Sequence, residues 1–153
     1  MSTIWFPHVT VAAILHQADR FLMVEEVIKG QTWFNQPAGH LEDGETLIQA
    51  IIREVQEETA CQFSPEALTG IYQWRHPDTH TTFLRFCFTG EVLSHNPEQI
   101  LDHPIIQTHW LNQDEIRLRH TQHRSPLVMK CVDDYLAGQR LPLELVQNLQ
   151  DYS

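Results

Sequence analysis

Three glutamates with helical spacing are the residues of this sequence best suited to chemistry. Glu57 and Glu58 follow Glu54 by three and four positions, so a helix would place all three carboxylates on one face. Such a face repels itself unless a cation lies among the carboxylates, and their oxygens are ligands that Mg²⁺ and Mn²⁺ prefer. The pattern predicts a Mg²⁺ site, with Mn²⁺ as a substitute. A solvated helix surface is the alternative explanation of the same spacing.

The element that must position these glutamates is a helix preceded by a glycine-containing loop. Residues 46–59 contain neither Gly nor Pro, so nothing in them interrupts a helix. Ala50 lies on the side of the glutamates one turn earlier, where its small side chain leaves room for the loop. The apolar residues expected on one arc of this helix are Leu47, Ile48, Ile51, Ile52 and Val55.

The glutamates belong to a longer motif with fixed spacing. The residues in register are Gly39, Glu45, Arg53, Glu54, Val55, Glu57, Glu58 and Cys61. This stretch resembles the signature of the Nudix hydrolases, in which a Gly and a Glu precede Arg-Glu and then Glu-Glu at these offsets. A match at so many positions strongly favours a metal site over a solvated helix surface.

The resemblance implies a fold and a set of roles. The fold is an α/β (α+β) domain, a Nudix-type α/β/α sandwich with a mixed central β-sheet. The activity is Mg²⁺-dependent hydrolysis of phosphoanhydrides. Glu45 and Gly39 have structural roles in the motif, and Arg53 holds the carboxylates with Glu45 as its partner. The implied catalytic residues are Arg53, Glu54, Glu57 and Glu58, and the implied metal ligands are Glu54, Glu57, Glu58 and the backbone carbonyl of Gly39.

The general base is left open, because Nudix enzymes recruit this group from different places. The candidates are Glu57, Glu58, Asp102 and Glu115.

Further stretches, among them residues 33–42, 83–86 and 124–128, resemble bacterial phosphatases of this family. The likeness covers nearly the whole chain. It implies release of phosphate from nucleoside di- and triphosphates, thiamine diphosphate and hydroxymethylpyrimidine diphosphate. One alternative is a pyrophosphohydrolase of ADP-ribose, dinucleoside polyphosphates or RNA 5′ ends. Another is a non-catalytic nucleotide-binding module, which the complete set of signature carboxylates disfavours.

One residue departs from the signature. Ala60 stands where the family has a glycine, just past the end of the predicted helix. A glycine there usually closes the helix in a left-handed conformation, and alanine in that conformation costs about 1 kcal/mol or more. The change removes no metal ligand, so we expect it to affect stability rather than catalysis.

Candidates for substrate binding come from aromatic residues and one arginine. Trp33, Phe34 and Trp74 could stack on a planar ring, although residues of this type more often pack in a core. Arg85 lies in the middle of a predicted strand. It either binds phosphate bidentately or faces solvent, and the resemblance favours phosphate.

Composition limits the class of protein. The 153 residues fit a single domain, 1–153, and the net charge of −10 disfavours stable nucleic-acid binding. No apolar run approaches about 20 residues, the length of a membrane span, and the N-terminus lacks a signal peptide. Cys61, Cys87 and Cys131 are widely spaced, which argues against disulfides and zinc. We therefore expect a cytoplasmic monomer that acts on a small phosphoanhydride.

Periodicity predicts strands interleaved with helices. A loop is predicted for residues 94–104, and residues 141–153 are unassigned. The predicted strands are 9–16, 21–27, 33–36, 68–74, 81–92 and 105–111, and the predicted helices are 46–59, a short one capped by Asn112, and 126–137.

Overall fold

A computed structural model describes residues 3–149 of the chain. None of the helices in this range is long and apolar enough to cross a membrane. The strands are β1 (His8–Gln17), β2 (Arg20–Ile28), β3 (Gln31–Asn35), β4 (Ala38–His40), β5 (Cys61–Arg75), β6 (Thr82–His95), β7 (Ile105–Asn112) and β8 (Leu141–Pro142). The α-helices are α1 (Leu47–Thr59), α2 (Gln113–Leu118) and α3 (Leu127–Leu136), and His120–Gln122 and Leu143–Leu145 form 3₁₀ turns.

The strands form one connected sheet in the order β3-β2-β1-β6-β5-β8, with β4 added to β1 and β7 added to β2. Strands β1 and β6 run parallel, from the pair His8–Phe83 to the pair Leu15–Gly90. The other strand pairs are antiparallel. The sheet is therefore mixed, as predicted.

Helices α1 and α3 cover opposite faces of the sheet. Side chains alternate along β1, so Val11 and Ala13 face α1, and Ala12 and Ile14 face α3. The two apolar clusters formed in this way are fully buried at their centres. This arrangement confirms the expected α/β/α layers.

The buried face of α1 differs from the predicted apolar arc. Ile52 remains 39% exposed, whereas Glu54 and Glu58 are each only 9% exposed. The buried face of α1 includes the carboxylates of Glu54 and Glu58 because β4 packs beside the helix and covers them. Two of the predicted metal ligands therefore lie in an environment poor in water.

Helix α1 ends at Ala60 in the left-handed conformation, with φ 60° and ψ 20°. The Ala60 N–H donates to the Gln56 carbonyl at 2.9 Å. Alanine thus keeps the left-handed geometry that the glycine of the signature usually adopts, and the next residue, Cys61, already begins β5.

Several boundaries were predicted wrongly. Strand β5 begins at Cys61 rather than at residue 68, because the irregular pairing around Pro65 accommodates a residue that cannot donate to the ladder. Strand β6 continues to His95, into the predicted loop. The short strand β4 was not predicted. Part of the unassigned tail forms β8, which pairs with β5, and residues 150–153 lie outside the described residues.

Candidate active site

Arg53 joins the carboxylates of the predicted site. Its Nε and Nη2 donate to the two oxygens of Glu45 at 2.9 and 2.7 Å. Its Nη1 donates to Glu54 at 2.7 Å and to Glu57 at 3.2 Å. These bonds, chiefly those to Glu45, raise the pKa of Arg53 above its usual range, so the guanidinium stays charged. The predicted contact with Glu45 is thus present in the structure.

The other two predicted ligands adjoin strand β4. The Glu58 carboxylate accepts a hydrogen bond from the Ala38 N–H at 2.7 Å. The Glu54 carboxylate lies against Gly39, where a Cβ would overlap it. A side chain at residue 39 would therefore displace Glu54, which gives a physical reason for glycine at this position of the motif.

Burial and like charge act together on these carboxylates. Burial raises the pKa of Glu58 to about 9; the bond from Ala38 opposes this, and Glu54, Glu26 and Asp102 add to it. Burial also raises the pKa of Glu54, against the effect of Arg53. Arg53 alone does not compensate the negative charge of this cluster of carboxylates. A bound divalent cation would supply further positive charge.

The donor set fits Mg²⁺, because it consists of anionic oxygens in a region short of positive charge. Within residues 3–149, however, no three acidic, histidine or cysteine side chains already surround a point where one ion could sit. Two of the three glutamates are bonded to Arg53 and the third to Ala38. Cation binding by all three requires these side chains to rotate.

A cleft of about 500 Å³ adjoins the glutamates at Ala38 and Gly39. Trp74 and Phe83 stack in its wall, with ring centroids 5.8 Å apart. Trp33 lines it from β3, on the other half of the sheet. The structure thus brings three of the predicted substrate residues into one cleft with Gly39: Trp33, Trp74 and Arg85.

Arg85 is buried in this cleft, with 5% of its surface exposed. The alternative in which it faces solvent is therefore wrong. It lies on the same side of the sheet as Thr10 and His40, which pair with each other across β1 and β4 and also line the cleft.

Phe34 does not belong to the cleft. It is 6% exposed, its ring lies 5.8 Å from that of His109, and the Arg119 guanidinium lies 5.5 Å above it. Successive side chains of a strand point to opposite faces of the sheet, so Trp33 and Phe34 cannot lie on the same face. The structure thus places Phe34 apart from the other three predicted substrate residues.

The candidates for general base separate by position. Glu57 has the most exposed side chain of the three motif glutamates, at 38%. The Asp102 N–H donates to the Glu57 carbonyl at 2.9 Å, which holds Asp102 beside α1. Glu115 caps α2 and pairs with Arg20 at 2.8 Å, at the opposite end of β2 from Glu26, whose charge acts on Glu58, so it lies far from the motif glutamates.

Glu26 and Arg124 line the cleft and were not predicted. Glu26 is 7% exposed and accepts a hydrogen bond from Arg124 at 2.9 Å. Burial raises its pKa despite this bond. The available signal was the pair of acids Glu25 and Glu26 inside an apolar strand.

Comparison with known proteins agrees with the geometry. The family model of the NUDIX domain matches residues 6–131. The protein belongs to the Nudix hydrolase family. Members of this family hydrolyse phosphorus-containing anhydrides and generally use divalent metals such as Mg²⁺, so this Nudix hydrolase is an enzyme of that class.

Two relatives cover this Nudix hydrolase almost completely. Phosphatase NudJ of Escherichia coli K12 is 45% identical over 140 residues, which are 92% of this chain and 90% of NudJ. A NUDIX hydrolase from Nitrosomonas europaea has 51% identity and a TM-score of 0.93, over 97% of this chain and 100% of its own. The NUDIX domain of Shewanella oneidensis NrtR, solved with ADP ribose, shares the fold at 18% identity and a TM-score of 0.65, over 87% and 90% of the two chains.

Proposed function

We propose that this Nudix hydrolase is a Mg²⁺-dependent phosphohydrolase that removes the terminal phosphate of nucleoside di- and triphosphates and of thiamine-type diphosphates. The observation that carries the proposal is the order of groups in the cleft. Along β1 and β6 the aromatic rings come first, Arg85 next and Gly39 last, and the glutamates of α1 adjoin the cleft behind Gly39 and Ala38 without lining it. The likeness to phosphatase NudJ supports the same substrates.

Each residue has a distinct task in this proposal. Trp33 and Trp74 hold the planar organic group from the two walls of the cleft. Glu54, Glu57 and Glu58, with the Gly39 carbonyl, hold the metal. When bound, the cation neutralises phosphate oxygens and lowers the pKa of the attacking water.

Arg53 keeps two of the glutamates oriented while Glu45 keeps Arg53 in place. Glu57 is our first candidate for the base, because Glu58 is buried and bonded to Ala38, whereas Glu57 reaches solvent. Asp102 is the second candidate, since it is exposed and lies beside the carbonyl end of α1.

The orientation of the substrate decides which bond breaks. A ring held between the tryptophans directs the phosphate chain toward Gly39, so the outermost phosphorus reaches the glutamates first. Water then attacks this terminal phosphorus, the bond to its bridging oxygen breaks, and orthophosphate is released. A substrate bound in the reverse direction would be cleaved internally.

Product identification tests this proposal. We expect GTP with Mg²⁺ to give GDP and orthophosphate, and thiamine diphosphate to give thiamine monophosphate and orthophosphate. GMP and pyrophosphate as first products would contradict terminal attack. If only ADP-ribose, dinucleoside polyphosphates or capped RNA were hydrolysed, the alternative of a pyrophosphohydrolase would be correct. If nucleotides were bound but not hydrolysed, the protein would be a binding module.

Our remaining expectations are a monomer located in the cytoplasm, without stable nucleic-acid binding. The net charge of −10 supports the last of these. Light scattering after size exclusion, and filter binding of labelled RNA and DNA at about 0.15 M salt, would test the monomer and the lack of nucleic-acid binding.

A further inference from the structure

Arg85 is a buried cation in the middle of the cleft. Its exposed fraction is 5%, and its side chain reaches the cleft from the centre of β6. Removing a guanidinium from water is costly unless its donors are satisfied and its charge is paired.

Two amide oxygens and one cysteine sulfur surround this guanidinium. Nη1 donates to the Gln36 side-chain oxygen at 3.1 Å, with the Cys131 sulfur 4.0 Å away, and Nη2 donates to the Asn35 side-chain oxygen at 3.3 Å. Nε is buried and has no hydrogen-bond partner in the part of the chain that the structure describes. Within residues 3–149, no carboxylate forms an ion pair with Arg85. The positive charge is thus held in place but not neutralised.

One of the two amide acceptors, Gln36, is itself held in place. Gln36 is 1% exposed, and its Nε2 donates to the Val128 carbonyl on α3 at 2.6 Å. This bond settles the orientation of the amide and turns its oxygen toward Arg85. The structure therefore holds an oriented guanidinium in the wall of the cleft, with fewer acceptors than its five N–H groups could use.

Strand register gives the position of Arg85 along the cleft. Phe83 pairs with Trp74 and His8, Arg85 pairs with Thr10, and Gly39 pairs with Val11 one residue further along β1. Arg85 therefore lies about 6.6 Å along β6 from the aromatic pair, toward the level of Gly39, against which Glu54 lies.

We propose that Arg85 binds the phosphate attached directly to the organic group, while the outer phosphate lies at the glutamates. This inference rests on the proposed function and deepens it. The preferred substrate is a diphosphate whose planar ring and inner phosphate lie about 6.6 Å apart, the length of two residues of a strand. Because hydrolysis leaves the inner phosphate in place, the monophosphate product retains its contact with Arg85 and competes with substrate.

Two variants and one control test the site. In Arg85→Met the charge is lost. In Asn35→Asp a carboxylate of the same shape faces Nη2, so the guanidinium is neutralised inside the protein without removal of a side chain. Arg117→Met is the control, because Arg117 is exposed and pairs with Asp133 away from the cleft.

The measurements are GMP binding by calorimetry without metal, and KM and kcat for GDP with Mg²⁺. We expect both cleft variants to weaken GMP binding roughly tenfold or more and to raise KM similarly, with a smaller change in kcat. Asn35→Asp should do so without losing thermal stability, which separates the effect from misfolding. Arg117→Met should match wild type.

Unchanged GMP affinity in folded Asn35→Asp and Arg85→Met would overturn the inference, as would an equal loss in Arg117→Met. Failure of the proposed function has a different signature, since wild type would then release no orthophosphate from GDP. The calorimetric comparison needs no turnover and is still decisive in that case.

Discussion

Arg53 and Glu45 form a two-point contact, in which Nε and Nη2 of the arginine reach both oxygens of the carboxylate at 2.9 and 2.7 Å. Glu45 stands in the loop before α1, and Arg53 stands within the helix, so the contact joins the loop to the catalytic face. The third nitrogen, Nη1, is then directed to Glu54 and Glu57. Arg53 thereby sets the orientation of two predicted metal ligands.

Glu45→Gln tests this relationship. The amide cannot accept two charge-assisted bonds, so we expect a loss of about 1.5–3 kcal/mol in the free energy of unfolding and a fall in kcat. Urea denaturation and initial rates measure the two effects. Glu42→Gln is the control, because Glu42 is 67% exposed and lies 3.6 Å from Arg53. Equal effects in both variants would contradict the role of Glu45.

Glu57→Gln tests the metal ligands. The substitution keeps the shape of the side chain but removes its charge, so we expect an unchanged circular dichroism spectrum and a turnover lower by orders of magnitude. The exposed Glu144→Gln, on the 3₁₀ turn after β8, should behave as wild type. A Glu57→Gln enzyme with near-normal Mg²⁺-dependent rates would refute the assignment.

Mg²⁺ should stabilise the fold without any substrate. A cation that relieves the repulsion among the buried carboxylates binds the native state only, and at about 100 times its Kd it adds about 2.7 kcal/mol to the free energy of unfolding. Thermal melts with EDTA or Mg²⁺, at matched ionic strength, measure this. We expect a higher Tm in wild type and a much smaller shift in Glu54→Gln. Equal shifts in both proteins would show that the ion binds elsewhere.

Ala60→Gly should be neutral or stabilising by up to about 1 kcal/mol, because glycine adopts the left-handed conformation without steric cost. Ala137→Gly provides the opposite case, since Ala137 ends α3 with a right-handed φ of −72° and glycine there only adds freedom to the unfolded chain. Chemical denaturation compares the two. If Ala60→Gly lost as much stability as Ala137→Gly, the left-handed geometry would be wrong.

Local spacing determined a large part of this protein. The offsets from Gly39 to Glu58 placed the glutamates on one helix, because helical geometry depends only on neighbours three and four positions away. The same locality explains why the left-handed Ala60 and the cap formed by Asn112 and Glu115 were predictable, since each depends on a few adjacent residues. The mostly apolar run of residues 9–16 likewise predicted the strand that the structure shows as β1.

Tertiary structure alone decided which side chains share the cleft. Trp33 and Phe34 are equivalent in the sequence, and only the pairing of β3 with β2 assigns one to the cleft and the other to the opposite face. Strand pairing likewise places Glu26 in the cleft and Glu115 at the other end of β2. Strand partners and register are set by contacts between distant segments, and a shift of one residue reverses every side chain. Arg85 became a buried cation rather than a surface residue only when β6 was placed between β1 and β5 and α3 covered that face.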